Sequence, residues 1–130
     1  MAVDDAHISV RFKHGIHTIY LFVDALAPMA AATKELLELL RERYPGGLTT
    51  SLEPPKTTEV PEGDVKVAYA VLKVAHDPYK GWKKLDTGDD EFNPTKIGLK
   101  ANSIVAFSFV EDEDEEPVFE VEWPRDEEEP

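Results

Sequence analysis

The chain contains no cysteine, which excludes a disulfide framework and a thiolate zinc site and fits a reducing compartment. It has no apolar run approaching about 18 residues, so no transmembrane helix is expected. The first residues carry Asp4 and Asp5 and no apolar core segment, which argues against a secretory signal. Cytoplasm or nucleus is therefore the expected compartment. A glycine-rich phosphate loop ahead of a helix is also missing, because Gly46-Gly47 follows a helical stretch instead of opening one. Ser9, Ser51, Ser103 and Ser108 lack the context of a nucleophile elbow. His14 and His17 flank a turn while His7 and His76 lie elsewhere, and all four read as ordinary surface histidines. The acid pair Asp89-Asp90 reads as a solvated turn. Catalytic residues, metals and cofactors are not expected, and the chain is not read as an enzyme.

The net negative charge is nearly confined to one end. Residues 1–110 hold 15 acids against 13 bases, a net of −2, whereas residues 111–130 hold 12 acids and one base, a net of −11. A near-neutral domain thus precedes an acidic extension. Such an extension repels nucleic acid and anionic lipid at low salt, which disfavours both as partners. At 130 residues the chain is expected to be one domain with its own core.

The patterning that remains is strong. Residues 1–6 read as a flexible end. Ile8, Val10 and Phe12 alternate with polar residues, His14-Gly15 supplies a turn, and Ile19, Leu21 and Val23 repeat the alternation. Tyr20 and Phe22 point to the opposite sheet face. Pro28 opens a helix in its first turn that runs to about Tyr44, with Met29, Ala32, Leu36 and Leu40 as the core stripe, widened by Leu37. Residues 45–64 are rich in proline, glycine and threonine and read as a long flexible loop, with a short extended piece at 48–52. Val65 to Val74 is an interior strand, Trp82 to Leu85 a short one, and Ser103 to Val110 the last strong one. After the acidic run Glu111–Glu116, alternation returns at Val118 to Trp123 and suggests an extra strand.

Four stretches in series carry a family resemblance: Val23 followed by Met29, the stripe Ala32-Leu36-Leu40, Gly81-Trp82-Lys83-Lys84-Leu85-Asp86, and Ile97 to Phe107. In this order they resemble ubiquitin-like domains of the β-grasp type. The resemblance spans residues 7–110 and implies an α+β fold, with a mixed four- to five-stranded sheet packed on one long helix. It further implies a protein-interaction module, an adaptor or complex subunit. Two departures stand out. Family members that are conjugated end in a Gly-Gly tail, whereas here Phe109-Val110 runs into acids and the chain ends Glu129-Pro130, so conjugation is not expected. The family's recognition patch on the last strand is reduced, since Ile104 is followed by the small Ala106 and Ser108.

These departures shift the expected contact surface to Tyr20 and Phe22, with Ile104, because adjacent exposed aromatics mark contact sites. A second candidate is the extension, with Val118, Phe119, Val121 and Trp123, where Val118-Phe119-Glu120-Val121 beside six acids resembles a SUMO-interacting motif that adds a strand to a partner's sheet edge. The competing reading makes Phe119 to Trp123 an extra strand covering an edge of their own domain. A third, in another class, is a basic-aromatic patch of Lys80, Trp82, Lys83 and Lys84 that stacks single-stranded nucleic acid.

Overall fold

The computed structural model describes residues 7–52, 54–63, 65–74, 77, 80–88, 90–110 and 117–121. Strands β1 (His7–His14) and β2 (His17–Asp24) form the leading hairpin, followed by helix α1 (Met29–Arg43). A second hairpin, β3 (Leu48–Leu52) and β4 (Pro55–Thr58), precedes β5 (Lys66–Leu72), β6 (Trp82–Lys84) and β7 (Ser103–Val110). Five strands form one mixed sheet in the order β2-β1-β7-β5-β6, with β1 and β7 parallel at its centre and every other pair antiparallel. One face of this sheet packs on α1. The result is the α+β, β-grasp-like arrangement expected, with five strands in the main sheet.

The core follows the alternation. Val10, Phe12, Val105, Phe107 and Tyr69 from the inner face meet Met29, Leu36 and Leu40 of the helix, and all of them are fully buried. Each such side chain contributes roughly 1.5–3 kcal/mol over leaving it in water. Ile19 and Val23 are buried and Leu21 is half-buried, as their parity requires. Ala106, on the outer face, is buried too, because β7 is central and flanked on both sides. Leu39, off the helix stripe, packs against the edge of the core.

Pro28 sits one position earlier than expected. Its ψ of 151° is extended, so it caps the helix and Met29 is the first helical residue. The unpaired amides of Met29 and Ala30 are satisfied by the carbonyls of Phe92 (2.8 Å) and Asp90 (3.0 Å) from the turn before β7. That same turn corrects the reading of Asp90 as solvated. Asp90 is half-buried with φ of 69°, and its carboxylate accepts a hydrogen bond from Thr33 Oγ1 (3.1 Å), which in turn contacts the buried Tyr69 hydroxyl (2.6 Å). Burial raises the Tyr69 pKa far above its ordinary value. Asp89 lies outside the described residues.

The stretch read as a long flexible loop holds the β3–β4 hairpin. Leu48 and Thr50 of β3 are buried, and Arg41 on the helix donates to the carbonyls of Pro61 (3.0 Å) and Gly63 (2.8 Å). The loop proper is therefore the shorter run after Thr58, itself tied to α1.

Candidate interaction surfaces

Two sites emerge, one at the open edge of the sheet and one at the tip of the leading hairpin. At the edge, β2 is flanked, among the described residues, by β1 alone. The turn Gly15-Ile16 closes the pair His14↔His17. Antiparallel alternation then directs the backbone groups of Ile19, Leu21 and Val23 at β1, and those of Thr18, Tyr20 and Phe22 at the open side. The side chains of Tyr20 and Phe22 are 67% and 71% exposed, and Leu26 beyond the strand end is 67% exposed. The sequence expectation for both aromatics is thus met in position.

The outer face behind them is built by register. Tyr20 lies opposite Arg11, and Arg11 lies opposite Ile104, giving a row of aromatic, guanidinium and half-buried aliphatic across three strands. Phe22 lies opposite Ser9. Asn102, with φ of 66°, holds this corner: its Oδ1 accepts from Ser9 Oγ (2.9 Å) and its carbonyl accepts from Arg11 Nη2 (2.7 Å). Arg11 Nε is buried without a hydrogen-bond partner among the described residues. Lys13 in the same strand has its pKa lowered, first by burial and then by the charge of Arg11. Arg11 escaped the sequence reading because a polar residue on an alternating strand looks like a solvated one.

The hairpin tip is a junction of four segments. Gly15 has φ of +58°, which suits the first central position of a two-residue turn that requires glycine. A side chain there would overlap the backbone of Thr49 and Thr50. Ile16 N–H donates to the Thr49 carbonyl (3.2 Å), and Thr49 N–H donates to His17 Nε2 (2.9 Å). His14, expected at the surface, is buried at 4% exposure. Its ring bridges the Phe107 carbonyl through Nδ1 (3.2 Å) and Thr50 Oγ1 through Nε2 (3.2 Å), and Thr50 in turn contacts Thr58 Oγ1. The carbonyl can only accept, so Nδ1 carries the proton and Nε2 accepts from Thr50. Burial lowers the His14 pKa, against opposing effects of the Phe107 carbonyl and the Glu120 charge; His17 is lowered by burial and by His14. The correction was foreshadowed by parity, because His14 continues the inward series Ile8, Val10, Phe12.

The acidic extension returns to this tip. Where β1 stops pairing with β7 at Lys13↔Ala106, Gly15 pairs in parallel with Val121, and Gly15 N–H donates to the Glu120 carbonyl (2.7 Å). Glu120 also pairs with Lys56 of β4 at 2.9 Å. Of the residues singled out in the sequence, Phe119 and Val121 are half-buried, Val118 is exposed, and Trp123 lies outside the described residues. The expected strand over 118–123 is reduced, in its described part, to the single bridge at Val121. The basic-aromatic cluster is divided by its own strand: Trp82 opposes Leu72 and Lys84 opposes Ala70 on one face, whereas Lys83 opposes Val71 on the other. Lys80 is exposed just before the strand. Among the described residues no group of three or more metal-ligating side chains is gathered, and no helix is long and apolar enough to cross a membrane.

No protein-family model matches the chain, and no curated protein matches it. Among solved structures, a chain of the MycP5-free ESX-5 inner membrane complex, State II, is similar at 18% identity with a TM-score of 0.52, over 91% of this chain and 24% of that chain. At this identity the likeness shows the fold alone, and the present chain spans about a quarter of that neighbour's length.

Proposed function

We propose that this chain is a ubiquitin-like, non-catalytic protein-interaction module, an adaptor or complex subunit that is not itself conjugated to substrates. The reading is carried by one observation: β2 is an eight-residue edge strand with Tyr20 and Phe22 exposed on it and no lysine, proline or glycine along it. Unpartnered edges of this length invite strand addition unless charge, proline or a bulge blocks them. Adjacent exposed aromatics supply large contact area at little entropic cost, which is why they dominate binding hot spots. Arg11 and Ile104 extend the same surface over the sheet. A partner strand laid along β2 would gain backbone hydrogen bonds from Thr18, Tyr20 and Phe22 and apolar anchors from the two rings. Gly46-Gly47 lies in the turn between α1 and β3, a position unlike that of a conjugation tail. The similar fold in a chain of an inner membrane complex is in keeping with a subunit role.

The test is affinity capture from the native extract with wild-type chain and with Tyr20→Ala plus Phe22→Ala. Loss of two hot-spot aromatics should weaken partner binding by about 2 kcal/mol or more, while the thermal midpoint moves little because both rings are in solvent. Equal capture by the two proteins would refute the reading.

A further inference from the structure

Beyond the β2 edge, the hairpin tip has the build of a peptide receptor whose ligand is supplied by the chain itself. The receptor side is closely packed. Gly15 is held against the β3 backbone so closely that no side chain fits, and Lys56 and the chain from buried His14 and Thr50 to half-buried Thr58 stand beside it. The occupant is held lightly. Residues 117–121 meet the domain through the Gly15 N–H, which donates to the Glu120 carbonyl, and through the ion pair of Glu120 with Lys56, whose groups are half-exposed. Beside the segment lies a cavity of about 350 Å³ lined by His14, Thr58, Ser108 and Phe109. Val118 borders that cavity without filling it, since its side chain is 66% exposed.

From this asymmetry we infer that the Gly15–Lys56 groove is a second binding site, for an extended acidic-apolar segment of a partner protein, and that residues 117–121 occupy it in cis as an exchangeable stand-in. The ligand chemistry is read from the occupant: an aromatic, an acid and an aliphatic in succession, the acid on Lys56 and the backbone parallel to β1 at Gly15. The cavity adds a preference, because a larger apolar side chain at the Val118 position would fill space the chain's own residue leaves. Only six residues, 111–116, separate β7 from the segment. A tether that short gives an effective concentration in the millimolar range, so an outside segment competes poorly until the cis contact is weakened. This site shares no residue with Tyr20 and Phe22, and its failure would leave the β2 reading untouched.

The experiment uses the full chain and a labelled synthetic peptide of the sequence Pro117-Val118-Phe119-Glu120-Val121, read by fluorescence anisotropy and by the Gly15 amide resonance. In Glu120→Lys the cis segment meets Lys56 with like charge and leaves the groove. That variant should bind the peptide at least tenfold more tightly than wild type, with the Gly15 amide shifting on addition. Adding Lys56→Glu to Glu120→Lys restores an ion pair of reversed sign in cis and should abolish peptide binding. Equal binding by wild type and Glu120→Lys, or undiminished binding by the charge-swapped double variant, would overturn the inference. So would a wild-type chain that dimerises with the groove filled by a second copy's segment. Circular dichroism of each variant confirms that the fold is retained.

Discussion

The two edges of the main sheet are opposites. At one, β2 runs eight residues in regular alternation, carries exposed Tyr20 and Phe22, and has no lysine. At the other, β6 is three residues long and two of them are exposed lysines, Lys83 and Lys84. A short, charged edge is how a sheet avoids unwanted pairing, and a long apolar one is a liability unless it is used. The difference teaches where to look for a partner. The proposed strand addition would need a fixed register, and the leading hairpin is anchored at its tip by the contacts of Gly15 and Ile16 with β3.

The largest effect should come from releasing that anchor. Gly15→Ala forces a side chain into the Thr49–Thr50 backbone at a positive φ, and left-handed geometry plus overpacking should cost about 3 kcal/mol or more. A shift in the urea midpoint of that size, with partner binding lost alongside, is expected; a midpoint within about 0.5 kcal/mol of wild type would show that the tip does not hold the edge.

A smaller effect concerns pH. The buried His14 has a lowered folded-state pKa, so the unfolded chain takes up its proton first as the solution is acidified. Its contribution is fully present above the ordinary histidine value of about 6.5 and is lost as pH falls from there toward the lowered folded value. Urea titrations at several pH values should show stability falling across that window, and His14→Gln should flatten the slope. An unchanged slope in the variant would assign the effect elsewhere. The smallest effect is at the protected edge. Lys83→Thr with Lys84→Thr should leave partner capture unchanged and stability within about 0.5 kcal/mol, while light scattering rises with time as the edge loses its charge.

Most of the fold was legible where alternation or helical spacing was uninterrupted. Ser103–Val110 matches β7 to the residue, and the helix stripe Met29, Ala32, Leu36, Leu40 is the buried one. The extended piece expected at 48–52 is β3, but its partner β4 and their pairing were not legible, because Pro55-Lys56-Thr57-Thr58 offers no apolar alternation. What stabilises the hairpin is tertiary: the backbone contact with Gly15 and Ile16 and the Thr50 hydroxyl on His14. Thr33, Tyr69 and Asp90 meet across 57 residues of sequence, a link that no local pattern encodes. For the candidate sites, the exposure of Tyr20 and Phe22 followed from parity alone. Arg11, Gly15 and Lys56 did not, since their roles depend on which strand or segment lies beside them.

The central claim is that the partner meets β2 and not β6. Site-specific photocrosslinking puts it to the most direct test, with a benzophenone amino acid at Tyr20 in one protein and at Lys84 in another, each irradiated in the native extract. The account predicts a discrete adduct from position 20 and none from position 84. A discrete adduct from position 84 with none from position 20 would contradict it.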